Sequence, residues 1–463
     1  MKNKIMQRPD GPKAPKLLNT LQAIVRPLEL LETNARQYGD IFTTKFIGYQ
    51  KVVVVSNPQA IEEIFTADSK QFDSGKGNKI LLPILGEYSM ILHDGDYHGR
   101  QRRLLLPPFH GERMRAYGNS ICDIADKVIS QKRINENFLA RPAMQEISLQ
   151  VILSTVFGVA QGELFEQLKQ LIGSIFDIFT NPLGASFIYL PALQKDLGKW
   201  SPWGRFVEQK KQINELLYAL IRERKAENDP EREDILSLML SARDEAGEPM
   251  TDEQLRDELM TLLFAGHETT ATALAWALYW IHSLPEVKEK LLQELDTLDE
   301  NADPSVITKL PYLSAVCSET LRIYPVGLFT FARIVKEPIQ IMGYEFEPGT
   351  ILSPCIYLTH HREDLYPQPK QFKPERFLER QYSPYEFLPF GGGNRRCLGM
   401  ALALFEMKLV LATIMSRYQL ELAENRPVKP VRRGVTIAPA GGVRMVMKGQ
   451  RQAIAKTLVS QAG

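Results

Sequence analysis

The stretch that most narrows the possible folds is Phe390-Gly391-Gly392-Gly393-Asn394-Arg395-Arg396-Cys397-Leu398-Gly399. Three successive glycines let a backbone turn sharply and come close to whatever lies against it. A cysteine follows at the head of an apolar run with helical spacing over 398–418. The fold therefore has to set a tight loop, with a thiol on it, at the start of a core helix. A thiolate in that position gains from the helix N-terminus and from Arg395 and Arg396, which lower its pKa. A glycine-rich turn ahead of a core helix is the plain alternative. A phosphate loop fits poorly, because no Lys-Ser/Thr follows the glycines and no G-x-G-x-x-G is present. The chemistry reads best as a thiolate set to bind a metal.

The other cysteines, Cys122, Cys317 and Cys355, lie far apart and form no C-x-x-C pair. That argues against a zinc ribbon, a redox dithiol or a disulfide scaffold, and makes a reducing cytoplasm the expected compartment. With 44% apolar and 24% charged residues the chain has the make-up of a globular protein. Fifty-six Lys and Arg against fifty-five Asp and Glu give a net charge of +1, which offers nucleic acid no bulk attraction. No apolar run follows the first basic residues, so no signal peptide is expected. No window reads as a transmembrane anchor either. The closest, 171–193, is interrupted by Asp177, Asn181, Pro182 and Gly184 and reads as two helix ends around an apolar loop.

Helical spacing is expected over 26–38, 111–131, 144–157, 203–225, 251–284, 285–299, 314–323 and 398–418. A hairpin over 41–46 and 51–56 precedes most of these, and short strands are expected over 329–333, 339–341, 344–346 and 436–447. Residues 359–390 form a long irregular segment of the kind that usually serves a function. Without repeats or polar linkers, the chain reads as one domain over 1–463, mainly α with small β-sheets, with 1–20 as a Pro/Lys-rich surface lead-in.

Three more constellations stand out. Glu319 and Arg322 are spaced to share one side of a helix, which in isolation describes an ordinary solvated pair. Gly266, in Ala265-Gly266-His267-Glu268-Thr269-Thr270, disfavours its helix by about 1 kcal/mol relative to Ala, so something packs against the backbone there or the helix bends. Leu262, Ala265, Thr269 and Thr272 share one face of that helix. His98 and Arg102 stand at i, i+4 after His93-Asp94-Gly95.

These four motifs, in their order along the chain, resemble those of the cytochrome P-450 family. Phe390, Gly393, Arg395, Cys397 and Gly399 fill its F-x-x-G-x-R-x-C-x-G haem signature, and the likeness extends over essentially the whole chain. The resemblance implies a triangular prism-like helical domain with one long distal helix over the haem. Cys397 would ligate the iron of haem b. Glu319, Arg322 and Arg376 would form a buried ion network that fixes the cysteine loop. Thr269 would be the alcohol that meets dioxygen, with Glu268 relaying protons, while Ala265 would lie over the haem. His98, Arg102, Arg333 and Arg395 would face the propionates, though many eukaryotic members carry Trp where His98 stands. His267 is given no role.

The implied activity is insertion of one oxygen atom of O2 into a lipophilic substrate such as a fatty acid, alkane or terpene. NAD(P)H would supply electrons indirectly, through a ferredoxin or flavodoxin with its reductase, to a monomer. A peroxide-driven hydroxylase or isomerase and a non-catalytic haem sensor are the alternatives. The substrate pocket would be lined by 73–90, 176–190, 262–269 and 326–331, with Ile84, Met90, Phe176, Leu262, Ala265, Val326, Leu328 and Phe329. Arg100, Arg103, Arg113, Arg115, Arg396 and Lys408 would form a basic face for an acidic electron donor.

Overall fold

The computed structural model describes residues 8–109, 113–180, 194–227, 229, 231–299 and 302–451, without the side chains of 50, 113, 176, 177, 179 and 180. Its longer helices are Lys16–Val25 (α1), Pro27–Tyr38 (α2), Pro58–Thr66 (α3), Gly95–Leu105 (α4), Arg113–Ser130 (α5), Ala140–Thr155 (α6), Glu163–Thr180 (α7), Pro202–Glu227 (α8), Asp252–Ser283 (α9), Pro285–Leu295 (α10), Pro311–Ile323 (α11) and Met400–Arg417 (α12). Strands are Ile41–Phe46 (β1), Tyr49–Val55 (β2), Phe72–Asp73 (β3), Asn137–Leu139 (β4), Arg333–Val335 (β5), Ile339–Ile341 (β6), Tyr344–Phe346 (β7), Ile351–Pro354 (β8), Tyr418–Leu422 (β9), Pro430–Arg433 (β10), Thr436–Pro439 (β11) and Arg444–Gln450 (β12).

The long helix α9 organises the helical part. Thr251 caps it reciprocally: its hydroxyl accepts from Gln254 N, and Gln254 Oε1 accepts from Thr251 N. Helices α6, α8, α11 and α12 pack around α9. At Gly266 α6 comes close, since a Cβ there would stand 2.8 Å from Ile152 Cδ1. The glycine thus admits a neighbouring helix, and α9 is continuous through it. The buried apolar side chains of these helices, Trp276 and Leu274 among them, form the main core.

The largest sheet has the order β1-β2-β8-β5-β3. The β1–β2 hairpin pairs Ile41 with Val55, and β2 runs parallel to β8 with Val52 opposite Ile351. Val53 and Val55 point to the cluster that includes Phe65 of α3, whose first turn is capped by Asn57. This brings Phe65 of α3 and Arg333 of β5, whose guanidinium lies 5.6 Å from the Phe65 ring centroid, together against the cysteine loop described below. Among the described residues, no helix is long and apolar enough to cross a membrane.

Several boundaries differ from expectation. Of the lead-in expected over 1–20, the described residues 8–20 are tied to the fold: α1 begins at Lys16, and the Pro9 and Asp10 carbonyls accept from Thr43 of β1 at 2.8 and 2.9 Å. The strand expected over 329–333 starts only at Arg333, with a single bridge at Phe329. The strand expected over 436–447 is broken into β11 and β12, because Gly441 and Gly442 adopt φ of 71° and 78°.

Candidate active site

The glycines of the cysteine loop have a steric reason. Gly391 and Gly393 hold φ of 66° and 63°. A Cβ on Gly392 would come within 2.3 Å of the Phe65 ring, and one on Gly393 within 2.8 Å of the Phe65 carbonyl. The loop is thus pressed onto the end of α3. It closes through a hydrogen bond from Cys397 N to the Phe390 carbonyl at 2.9 Å. Cys397 remains solvent-accessible although many atoms surround its sulfur. Burial pushes its thiol pKa up, while the Gly399 N–H and the Arg102 and Arg396 guanidiniums pull it down. Arg102 therefore takes the part expected of Arg395.

Arg395 turns the other way. Its guanidinium donates to Asp94 Oδ1 at 2.5 Å, to Met90 O at 3.3 Å and to the His93 carbonyl. Asp94 also accepts from Ser74 N and Gly75 N, each at 2.8 Å, so it ties the loop, the turn at 74–77 and the start of α4 together. Near Arg395 lie His98 and Arg333, only 4% and 3% exposed. Arg333 donates to Phe331 O at 2.7 Å and Gly392 O at 3.3 Å. Burial, then the nearby Arg395 charge, lowers the Arg333 pKa to about 10. Burial, then Arg395 and Arg102, lowers that of His98 to about 3, so its imidazole is neutral. Arg102 is half-buried and donates to Arg396 O at 2.8 Å. Positive charge is thus crowded together and withdrawn from water, with Asp94 as the carboxylate bound to Arg395.

On α9, Ala265 is exposed and Leu262 and Thr269 are partly so, whereas Thr272 is buried. The expected face therefore narrows to Leu262, Ala265 and Thr269. The Thr269 hydroxyl donates to Ala265 O at 2.6 Å, which leaves its oxygen lone pairs to accept. Glu268 points toward α6. Its carboxylate is held by Arg141, by Gln145 Nε2 at 2.8 Å and weakly by Thr272 at 3.5 Å. His267 is buried, with Nε2 3.0 Å from Gln145 O, and burial lowers its pKa to about 4.

Glu319 and Arg322 are fully buried and Arg376 is 7% exposed. Arg322 reaches both Glu319 oxygens, at 2.6 and 2.9 Å, and Arg376 Nε reaches Oε1 at 3.2 Å. Lys373 N adds a fourth bond to Glu319, and the guanidiniums also donate to the His360, Gln371 and Pro367 carbonyls. A surface pair this is not: α11 is pinned to 360–376 by one shared carboxylate.

The pocket expectations divide. Leu262, Val326 and Phe329 keep accessible surface, as lining residues do. Ile84 and Met90, 3% and 7% exposed, are covered by the main core rather than open to the site. Leu328 packs against the cluster of Phe42 and Tyr357 beneath α2. Phe390 packs on the main core and contributes its carbonyl. Phe176 lies on α7 with its side chain outside the described residues, as does 181–190.

The basic face is also smaller than expected. Arg100 pairs with Asp244 at 2.6 Å and Arg103 with Glu245 at 3.2 Å, because the segment ahead of α9 folds against α4. Lys408 donates to Thr308 O at 2.8 Å, and burial lowers its pKa. Arg115 and Arg396 are exposed, and the Arg113 side chain lies outside the described residues. Asp94, Arg141, Gln145 and Phe65 escaped the sequence reading; Asp94, set before Gly95 at a helix start, was the one with a local signal.

The site suits a haem. One accessible thiol, supported by an N–H and two guanidiniums, would serve as the protein's ligand to a haem iron. The crowded Arg102, Arg333, Arg395 and His98 group matches a ligand bearing two carboxylates. Comparison with known proteins agrees. A cytochrome P-450 family profile matches residues 9–443. Cytochrome P-450 135B1 of Mycobacterium bovis is 34% identical over 456 residues, covering 98% of this chain and 94% of that protein. Cytochrome P-450 138 of Mycobacterium tuberculosis is 33% identical, covering 96% and 97%. Among solved structures, a retinoic acid-bound cyanobacterial CYP120A1 superposes with TM-score 0.81 at 25% identity, covering 97% of this chain and all of that one. The haem domain of cytochrome P-450DA reaches 0.84 at 23% identity, covering 97% and 98%, a likeness of fold. With a thiol loop of this geometry and a family match along nearly its whole length, the chain belongs to the cytochrome P-450 family of haem-thiolate monooxygenases.

Proposed function

We propose that this chain hydroxylates or epoxidises an apolar small molecule of the fatty acid, alkane or terpene class, using haem b and electrons from a ferredoxin or flavodoxin. The observation that carries this reading is the Cys397 thiol, supported by Gly399 N–H, Arg102 and Arg396, together with the buried Arg333 and Arg395 guanidiniums beside the neutral His98 imidazole. The haem supplies the oxygen chemistry, which an anionic thiolate favours.

The chain's own residues do the rest. Arg102, Arg333 and Arg395, with His98, would hold the haem carboxylates. Leu262, Ala265, Val326 and Phe329 offer an apolar surface that excludes water from the substrate. Thr269 presents its hydroxyl oxygen there, and donation from it requires the proton to swing away from Ala265 O. Glu268 carries protons toward that hydroxyl by exchanging its Arg141 and Gln145 partners for water. This acid–alcohol pair favours dioxygen over peroxide as oxidant. The cyanobacterial neighbour binds retinoic acid, an apolar carboxylic acid, which agrees with a lipophilic substrate class. We place the enzyme in the cytoplasm as a monomer. Screening lipophilic compounds for the Soret shift of substrate binding, then for product formation, tests the reading; a set including fatty acids, alkanes and terpenes that gives neither would sink it.

Thr269→Ala is expected to leave haem and substrate binding intact while product per NAD(P)H falls several-fold, with peroxide and water rising. Unchanged coupling would remove Thr269 from this role. For electron transfer, Arg396→Glu should slow ferredoxin-driven reduction several-fold at low salt, and the difference should shrink as screening shortens toward about 8–10 Å. Arg100→Glu should also loosen the contact with Asp244, so its defect should persist at high salt. Identical salt profiles for the two variants would refute this division.

A further inference from the structure

Helix α1 is docked inside out. A surface helix normally buries its apolar face and shows its polar one. In α1 the inward residues are Asn19, Thr20 and Ala23. Asn19 is 1% exposed and its Nδ2 donates to Lys45 O at 3.3 Å. The Thr20 hydroxyl accepts from Ile47 N at 3.0 Å, and the Ala23 carbonyl accepts from Arg432 at 3.1 Å. The outward residues are Leu17, Leu18, Leu21, Ile24 and Val25, which are 46–71% exposed. At 100° per residue these five occupy an arc of about 120°. Ile47, at the β1–β2 turn beside Thr20, and Val435, at the β10–β11 turn beyond Arg432, extend the apolar surface at 49% and 48% exposure. Contiguous apolar surface of this kind marks an interaction site, whereas scattered single residues do not.

Charge says what covers it. Residues 1–28 carry six cationic side chains, Lys2, Lys4, Arg8, Lys13, Lys16 and Arg26, against one acid, Asp10; Arg8 and Arg26 pair with Glu347 and Glu29, while Lys13 and Lys16 carry the charge next to the helix. Lys13 just before α1, Lys16 in its first turn and Lys45, whose carbonyl accepts from Asn19, are exposed. At about 1.5 Å per residue the 10-residue helix is about 15 Å long, half the thickness of a bilayer core, so it cannot span one. An aliphatic stripe on a short helix with a cationic margin fits the plane of a lipid surface.

We propose that α1 docks this protein on the surface of an anionic membrane, with Leu17, Leu18, Leu21, Ile24 and Val25 entering the acyl boundary and Lys13, Lys16 and Lys45 meeting phosphate headgroups. Docking is peripheral and reversible, and it uses no residue of the haem site.

The test is co-sedimentation of the full haem-loaded chain with vesicles of phosphatidylcholine alone, or mixed with phosphatidylglycerol. The wild type should partition about tenfold more strongly onto the anionic vesicles at low salt. Leu21→Glu with Ile24→Glu should reduce binding to both kinds by about tenfold or more. Lys13→Glu with Lys16→Glu should abolish the preference for anionic lipid. Both variants should keep the wild-type carbon-monoxide spectrum and melting temperature, which separates docking from folding. Wild-type binding no stronger than that of the Leu21/Ile24 variant overturns the proposal. So does concentration-dependent dimerisation that this variant abolishes without vesicle binding by the wild type, because the stripe then meets a second copy of the chain.

Discussion

Cys397→His is expected to erase the far-red Soret band of the reduced carbon-monoxide complex and to bring oxygen insertion down to background. The thiolate is an anion that donates charge to iron; a neutral imidazole does not replace that push. Folding should survive. The loop is shaped by Gly391–Gly393 against Phe65 and by the backbone bond from residue 397 to the Phe390 carbonyl, and these do not need sulfur. Circular dichroism should therefore match the wild type while the spectrum changes. A wild-type band at the position seen in a globin would remove thiolate ligation at Cys397.

The second large effect is on stability. Glu319→Gln takes away the one carboxylate shared by Arg322 and Arg376, which are 0% and 7% exposed. Two guanidiniums are then left buried without a counter-charge, a change that destabilises by about 3–5 kcal/mol. Because Lys373 N also bonds Glu319, the irregular segment leading toward the cysteine loop loses an anchor. Urea unfolding followed through the Soret band should show a lower midpoint and faster haem release. Arg376→Ala should do less harm, since Arg322 keeps both of its bonds to Glu319. A Glu319→Gln protein with wild-type midpoint and haem retention would show that the network has no structural role.

The chemistry of the site was more legible than its walls. Cys397, Glu319, Arg322 and the face of Leu262, Ala265 and Thr269 could be read because their signals are local: fixed spacing on one loop or one helix. Gly266 advertised a close neighbour through its unfavourable place in a helix, and the neighbour is Ile152. The partners of those residues could not be read. Arg141 and Gln145 reach Glu268 from more than a hundred residues away, and no local pattern marks them. Ile84 and Met90 looked like lining because they are apolar, but apolar residues fill cores and pockets alike, and packing alone decides between the two. Helix α1 does carry a local signal, apolar residues at helical spacing, but the Pro and Lys content of 1–20 reads as a surface lead-in and hides it.

The ion pairs of Arg100 with Asp244 and Arg103 with Glu245 bear on discrimination between partners. An acidic protein approaching α4 has to replace carboxylates that are already in place, so it gains only the difference between new and old pairs. Diffuse negative charge gains little from such a trade, because it gives up the ordered geometry Asp244 already provides. A partner whose acids match both arginines at once recovers the full exchange. If α4 belongs to the proposed docking face, its ion pairs would trade affinity for selectivity, favouring a donor by the shape of its charge rather than its amount.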